Sequence, residues 1–144
     1  MRIRHWVAGL ALMGLAGTAL AQGNVIAERR EGLKRMGAHM DAIKPVAEAR
    51  GDVRTLVPRL DDMLTFFRGL PNLFPPGSGT GDTKARPEIW QNFADFQTLD
   101  ARLVGQLETL RTAAAAGDAA AFAAAYQVTG AQYCGACHRN YRAR

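Results

Sequence analysis

The chain has 144 residues, of which 18 are Lys or Arg, 13 are Asp or Glu and only two are Cys. A chain of this length suits a single domain with a modest core. Its formal net charge of +5 is not gathered into a basic stripe with interleaved aromatic residues, which argues against a nucleic-acid partner.

The N-terminus has the pattern of a secretory signal peptide. A short basic start precedes an apolar run that ends at Leu20, and a small-x-small motif lies immediately before Gln22. The run is too short to span a bilayer comfortably, and a packed N-terminal helix, the alternative, would have no polar face. We therefore predict that residues 1–21 are cleaved as a signal peptide. Residues 22–144 would then form the mature domain, exported to the periplasm with no membrane span.

The mature chain begins with a predicted amphipathic helix. Asn24 is a candidate N-cap for a helix that starts at Val25. Pro45 either ends this helix or kinks it, because proline lacks an amide donor and crowds the preceding turn. Apolar residues recur at helical spacing along one face: Ile26, Leu33, Met36, Met40 and Ile43.

A second helix and a long irregular segment follow the turn at Gly51-Asp52. The apolar stripe between residues 53 and 70 predicts the helix, but Pro58 lies inside this stripe, so the regular helix starts either near Pro58 or at Val53. Residues 71–87 contain too many prolines and glycines for a regular helix or strand. Long loops in compact domains are often functional, which makes this segment a candidate part of the site.

Two further helices are predicted in the second half of the chain. The third opens at Pro87, has an apolar stripe interrupted only by Asp100, and ends at Gly117. Asp118 is a candidate N-cap for the fourth, whose alanines favour helix and which continues into the C-terminal motif. The face of this last helix that we expect to be functional holds Tyr126, Gly130, Cys134, Cys137, His138 and Tyr141.

The motif Cys134-Gly135-Ala136-Cys137-His138 is the attachment sequence of c-type haem. Positions i, i+3 and i+4 share one face of a helix, so both thiols and the imidazole can address one flat macrocycle. The thiols become thioethers on the haem vinyl groups, and the histidine supplies an axial nitrogen to the iron. We therefore predict one haem c, attached through Cys134 and Cys137, with His138 as the iron ligand.

Three other chemistries use paired cysteines. A thioredoxin-like redox dithiol is expected after a strand and at a helix start, whereas this motif closes an alanine-rich helical segment. A zinc site needs further Cys or His ligands at suitable spacing, and the remaining histidines are His5 and His39. A plain disulfide between Cys134 and Cys137 is the third. A haem-free thiol-disulfide oxidoreductase therefore stays as an alternative function.

Four amphipathic helices with short connections and one long loop predict an all-α, antiparallel four-helix bundle with the covalently attached haem in its core. On the first helix, Arg29 and Arg30 lie one turn before Leu33, where an arginine can bind a haem propionate through paired hydrogen bonds. The alternative for each arginine is a solvated charge. We expect at least one propionate contact from the pair.

The chain resembles cytochrome c′, the class II c-type cytochrome family, over essentially all of its mature length. The resemblance rests on residues 25–46 of the first helix, on the loop and third-helix start at residues 77–90, and on the ending at residues 130–142. It implies a homodimer that pairs through the first two helices, and it places Thr83 among the haem-binding residues. The chain departs from the family pattern at Arg30, where glutamine is common.

Leu33 is the decisive position for function under this resemblance. In low-spin relatives of the family a methionine at the matching position ligates the iron, and Leu33 has no lone pair to offer. The iron is therefore predicted to be five-coordinate and high-spin, under an apolar pocket that favours small neutral ligands over anions. Met36 is the alternative sixth ligand, and His39, off the haem-facing stripe, is expected at the surface.

The sequence thus predicts a periplasmic haem protein that binds NO and CO, with electron transfer to an unidentified redox partner as an accompanying role. The alternative is a low-spin electron carrier that uses Met36. Turnover of a substrate is not established by any motif, so no enzymatic activity is expected.

Overall fold

The architecture is all-helical. The computed structural model describes the backbone of residues 13–144 and the side chains from residue 24 onward. Its helices are α1 (Met13–Glu48), α2 (Val57–Gly69), α3 (Glu88–Gln91), α4 (Phe93–Ala116), α5 (Ala119–Val128) and α6 (Gly135–Tyr141). Two 3₁₀ turns cover Val53–Leu56 and Leu70–Leu73, and a π-helical turn covers Thr129–Cys134. No strand is present in this part of the chain.

Four helical segments form the bundle: α1, α2, α4 and the continuous run from α5 to α6. The α2 helix packs along α4, α4 packs against α5, and α1 contacts both α2 and α5. Apolar side chains with no exposed surface fill the centre: Ile43, Leu60, Leu107, Leu110 and Phe122. The predicted all-α four-helix bundle is confirmed. Within the described residues, no helix combines the length and the apolar character needed to cross a membrane.

The first helix is longer than the sequence predicted. It begins at Met13, upstream of the predicted start at Val25, and Asn24 lies inside it. The residues before Asn24 are rich in alanine and leucine, which favour helix, so the uncut chain continues the helix past its candidate cap. Pro45 lies in the last turn and marks the end of α1. Of the predicted signal peptide, residues 1–12 lie outside the described residues, and its cleavage stays a prediction.

The other helix boundaries lie at the proline, glycine and capping residues from which they were predicted, with one exception. Pro58 occupies the first turn of α2, which therefore begins near it. Gly117 ends α4 at a φ of 73°, in a left-handed conformation that glycine adopts without strain. Asp118 caps α5 by accepting a hydrogen bond from a first-turn amide at 2.9 Å. The exception is Asn92, whose extended φ of −127° divides the predicted third helix into α3 and α4.

The long segment over residues 71–87 is irregular after its 3₁₀ turn, as predicted, and aromatic residues fix its middle. Phe74 is buried and packs edge-on against Phe96, with ring centroids 4.8 Å apart. The Trp90 indole donates hydrogen bonds to the carbonyl oxygens of Phe74 and Pro75 at 3.0 and 3.1 Å. This loop is therefore packed on the core.

Arg29 binds the same loop from α1. It is 2% exposed, and its guanidinium donates hydrogen bonds to the Leu73 carbonyl at 3.0 Å, to the Ser78 hydroxyl and carbonyl at 3.2 and 2.9 Å, and to the Thr83 hydroxyl at 2.8 Å. Its guanidinium carbon also lies 4.4 Å from the centre of the Phe74 ring. The alternative of a solvated charge is therefore wrong for Arg29, which joins α1 to the loop.

Arg30, the next residue, has the opposite environment. Its side chain is 49% exposed and forms an ion pair with Asp82 on the same loop. Arg30 is therefore an exposed and paired charge, and its contact with a haem propionate stays a prediction. An exposed pair of this kind contributes about 0–1 kcal/mol to stability, so the two arginines hold the loop with very different strength.

The two arginines form a matched pair for mutation. Arg29→Met removes the donor from two buried carbonyl groups and two hydroxyl groups, and we expect it to lower the free energy of unfolding by about 2–5 kcal/mol. Arg30→Met removes an exposed ion pair, and we expect a loss below about 1 kcal/mol. Denaturant unfolding of both variants measures the difference, and equal losses would contradict the role of Arg29 as the anchor of the loop.

Candidate functional site

A cavity of about 960 Å³ opens between α1, α4 and the last helical run. This volume lies near the upper end of the range of about 300–1,000 Å³ that is typical of ligand and cofactor sites. Its wall is mainly apolar, with Leu33, Met36, Met40, Met63, Phe67, Phe96, Leu99, Leu103 and Leu107. All the predicted site residues line it: Arg29, Arg30, Leu33, Thr83, Cys134, Cys137 and His138.

The π-helical turn places the cysteine motif on this cavity. Its backbone hydrogen bonds join residues five apart, one more than in an α-helix. Each extra residue rotates the side chains of the following helix by about 100° around the helix axis. Tyr133 and Cys134 line the cavity, whereas Tyr126, expected on the functional face, does not. The prediction for Tyr126 is wrong because the cavity does not extend beyond Thr129 along this helical run, and no residue of α5 lines it. Turns of this kind occur frequently at functional sites.

A buried polar pair fixes the π-helical turn to α4. Thr129 is fully buried, and the Gln106 amide on α4 donates hydrogen bonds to the Thr129 hydroxyl at 3.1 Å and to the Ala125 carbonyl at 2.9 Å. The Thr129 hydroxyl donates to the same carbonyl at 2.9 Å. The next residue, Gly130, borders open space, since a Cβ there would meet no atom within 4 Å. Its missing side chain leaves room for a flat group beside the helix.

The two cysteines are free thiols with raised pKa values. Burial is the main cause for both, and it raises the pKa of Cys137 to about 11, with smaller effects from the charges of Asp100, Cys134 and Asp95. A redox-active dithiol needs a lowered thiol pKa, because the thiolate is the nucleophile. These surroundings keep both thiols protonated at neutral pH and argue against thiol-disulfide exchange.

His138 lines the cavity and is exposed to solvent. Its pKa is lowered, first by partial burial and then by the charge of Arg142 one turn later. A lowered pKa favours the neutral imidazole at neutral pH, which is the form that binds a metal ion.

The end of α6 is hydrogen-bonded to the last residues of the loop. The Arg86 amide donates to the Tyr141 carbonyl at 3.0 Å, and the Ala143 amide donates to the Lys84 carbonyl at 2.8 Å. The Tyr141 hydroxyl donates to Asp95 on α4 at 2.5 Å. The loop bound by Arg29 is therefore also hydrogen-bonded to the end of the helix that holds His138.

Leu33 and Met36 form part of the wall on α1. Leu33 is 38% exposed, an unusual exposure for a large apolar side chain, whereas Met36 is 3% exposed and belongs to the core. His39 is absent from the cavity wall, as predicted, but its expected place at the surface is wrong. Its side chain is only 14% exposed and lies 2.7 Å from Asp62, between α1 and α2.

Besides Thr129 and Gln106, sequence reasoning missed two other buried polar residues, Ser78 and Asp100. Ser78 is fully buried and both accepts from Arg29 and donates to the Pro75 carbonyl at 2.9 Å. Asp100 is 7% exposed, lines the cavity, and has an Oδ1 atom without a hydrogen-bond partner. The signal for Asp100 was its position inside an apolar helical stripe; Ser78 gave no such signal.

The residues present fit a haem c with its two propionates. Both thiols and the imidazole line one cavity whose other walls are apolar. The buried Arg29 guanidinium bonds only neutral oxygen atoms among the described residues, so its charge has no carboxylate partner there. A buried charge is normally paired, and a propionate carboxylate would supply the missing partner.

Comparisons with known proteins agree on one family. The family model described as cytochrome c′ matches residues 24–142. The chain is 37% identical to cytochrome c′ of Rhodopseudomonas palustris over 96% of this chain and 94% of the relative, and 36% identical to cytochrome c-556 of Agrobacterium tumefaciens over 80% and 94%.

Solved structures agree with this assignment. The crystal structure of cytochrome c′ from Thermochromatium tepidum superposes with a TM-score of 0.78 at 30% identity, over 85% of this chain and 97% of the other. A nitrosyl complex of a cytochrome c prime variant from Alcaligenes xylosoxidans superposes with a TM-score of 0.77 at 29% identity, over the same shares. Fold, motif and sequence similarity together show that the chain belongs to the cytochrome c′ family.

Proposed function

We propose that this protein is a periplasmic c-type haem protein whose iron binds small diatomic gases. One observation supports it above the others: the two thiols and the imidazole of the attachment motif line a single, largely apolar cavity. Cys134 and Cys137 would hold the haem through thioether bonds, and His138 would bind its iron. When bound, the haem would supply an iron that can bind a diatomic gas, and the residues of the cavity wall would control access to it.

Arg29, Arg30 and Thr83 would orient the propionate end of the haem. Arg29 brings a buried positive charge to the cavity wall, and Thr83 shares a hydrogen bond with it at 2.8 Å. Arg30 lies at the exposed edge, where a propionate would have to compete with Asp82 for the Arg30 guanidinium. A propionate carboxylate would therefore find its strongest partner in Arg29.

The apolar part of the α1 wall, formed by Leu33, Met36 and Met40, favours NO and CO as ligands. Leu33 offers neither a lone pair to the iron nor a hydrogen-bond donor to an anion, so it limits access by its volume. The nitrosyl complex of the Alcaligenes xylosoxidans relative supports the same ligand class for this chain. Because the proposal involves binding and not turnover, we do not propose an enzymatic activity.

Electron transfer with an unidentified redox partner is the second candidate function. Met36 lines the cavity, and its thioether is the group that would make the iron six-coordinate and low-spin. Burial of Met36 in the core favours a packing role instead. The homodimer implied by the family resemblance stays a prediction.

Covalent attachment is tested by mass. In protein produced by a host that assembles c-type cytochromes, we expect the intact mass to include one haem that resists acid-acetone extraction. Replacing both cysteines, as Cys134→Ser with Cys137→Ser, should leave the haem extractable. Free thiols or an intramolecular disulfide in the unsubstituted protein from such a host would contradict the proposal.

Leu33→Ala tests the distal wall. Removing its bulk relieves a packing penalty of about 1–3 kcal/mol, so we expect CO to bind roughly 5- to 150-fold more tightly. Flash photolysis or equilibrium titration with CO measures the change in protein confirmed as folded. Met36→Leu is the matched control, with a buried apolar residue kept and the thioether removed, and its CO affinity should stay near that of the unsubstituted protein. Unchanged affinity in folded Leu33→Ala would place another residue over the iron.

A further inference from the structure

A buried carboxyl group on α4 lines the cavity, and one of its oxygen atoms has no hydrogen-bond partner among the described residues. Asp100 is 7% exposed, and its Oδ1 atom is buried with no hydrogen bond. Buried polar groups are almost always hydrogen-bonded, because an unpaired carboxylate is costly in a medium of low polarity. The neighbouring wall residues Leu99 and Leu103 are apolar. Packing of α4 therefore does not account for this carboxyl group.

Burial alone raises the pKa of Asp100, to about 7. The titratable and charged groups that line the same cavity are Arg29, Arg30, Glu31, Lys34, Asp82, Lys84, Tyr133, Cys134, Cys137, His138, Tyr141 and Arg142. Of these, Cys137 has a pKa that is raised, after the effect of burial, by the charge of Asp100 and by that of Asp95 on the same helix. A thioether at Cys137 cannot titrate, so attachment would leave Asp100 as the buried acid nearest that bond.

We propose that Asp100 is a proton-binding site coupled to the oxidation state of the haem, which takes up one proton when the iron is reduced and releases it when the iron is oxidised. This inference rests on the proposed attachment of haem at Cys137. The coupling follows from position, since Asp100 and Cys137 line one cavity and act on each other through charge.

The charges balance in this step. When a one-electron donor reduces the haem-loaded protein, the Asp100 carboxylate would take up one proton from the solvent and become a neutral carboxylic acid, so that one positive charge accompanies each electron. The extra positive charge of the ferric state stabilises the carboxylate, and its loss on reduction raises the pKa of Asp100. Because the group is buried and unpaired, little solvent screens the two charges from each other. The reduced state therefore binds the proton more tightly.

The reduction potential as a function of pH tests this coupling. We expect the potential of the haem-loaded protein to fall as pH rises between the ferric and ferrous pKa values of Asp100. The limiting slope is about 59 mV per pH unit, the value for a tenfold change in a one-electron couple. In Asp100→Asn this segment of the curve should be lost, leaving only the slope due to the propionates. Glu108→Gln, which removes an exposed carboxylate on the same helix, should keep the full slope.

Equal slopes in the unsubstituted protein and in Asp100→Asn would overturn the proposal. The infrared difference spectrum between reduced and oxidised protein gives a second test that needs no variant. We expect a carboxylic acid band that grows on reduction and shifts when the protein contains ¹³C-labelled aspartate, and its absence would also overturn the proposal. Failure of haem attachment appears in the intact mass before any titration, so it is distinguishable from a failure of the coupling.

Discussion

A helical bundle with a cavity of about 960 Å³ beside its core depends on filling that space. Protein interiors are densely packed, and side chains that border an empty apolar cavity lose the contacts they would otherwise make. Phe96, Leu103 and Leu107 belong both to the core and to the cavity wall, so whatever fills the cavity also completes the core. In the proposed holoprotein the haem has this role. Attachment of the haem would then also supply the packing contacts that stabilise the bundle.

Charge imposes a second constraint on the same region. Arg29 places a positive charge inside the protein and donates its hydrogen bonds to neutral oxygen atoms of the loop, while Asp100 places on the cavity wall a buried carboxyl group whose Oδ1 atom has no hydrogen-bond partner among the described residues. Both arrangements cost stability, so the stability of the bundle alone does not explain them. Both become reasonable beside a cofactor that has two carboxylates and an iron of variable charge. The polar residues of the cavity are thus better explained by the proposed haem than by the fold.

The sequence predicted what depends on local spacing. Helical periodicity located the bundle, Gly117 and Asp118 marked the junction before the last helical run, and the attachment motif located the functional wall. It did not predict what depends on distant contacts. Arg29 bonds residues 44 to 54 positions away, so its neighbours in the chain gave no sign of its burial. The π-helical turn was missed for a related reason. It is fixed by a hydrogen bond from Gln106 to Thr129, and these two residues are 23 positions apart in the chain.

The central claim is that the α1 wall leaves one coordination position of the iron open, because Leu33 and not a thioether faces it. The electron paramagnetic resonance spectrum of the ferric protein at neutral pH tests this most directly, since spin state reports the number and strength of the axial ligands. A five-coordinate iron bound by His138 alone should give a predominantly high-spin signal. A low-spin signal would contradict the account and would place the Met36 thioether on the iron.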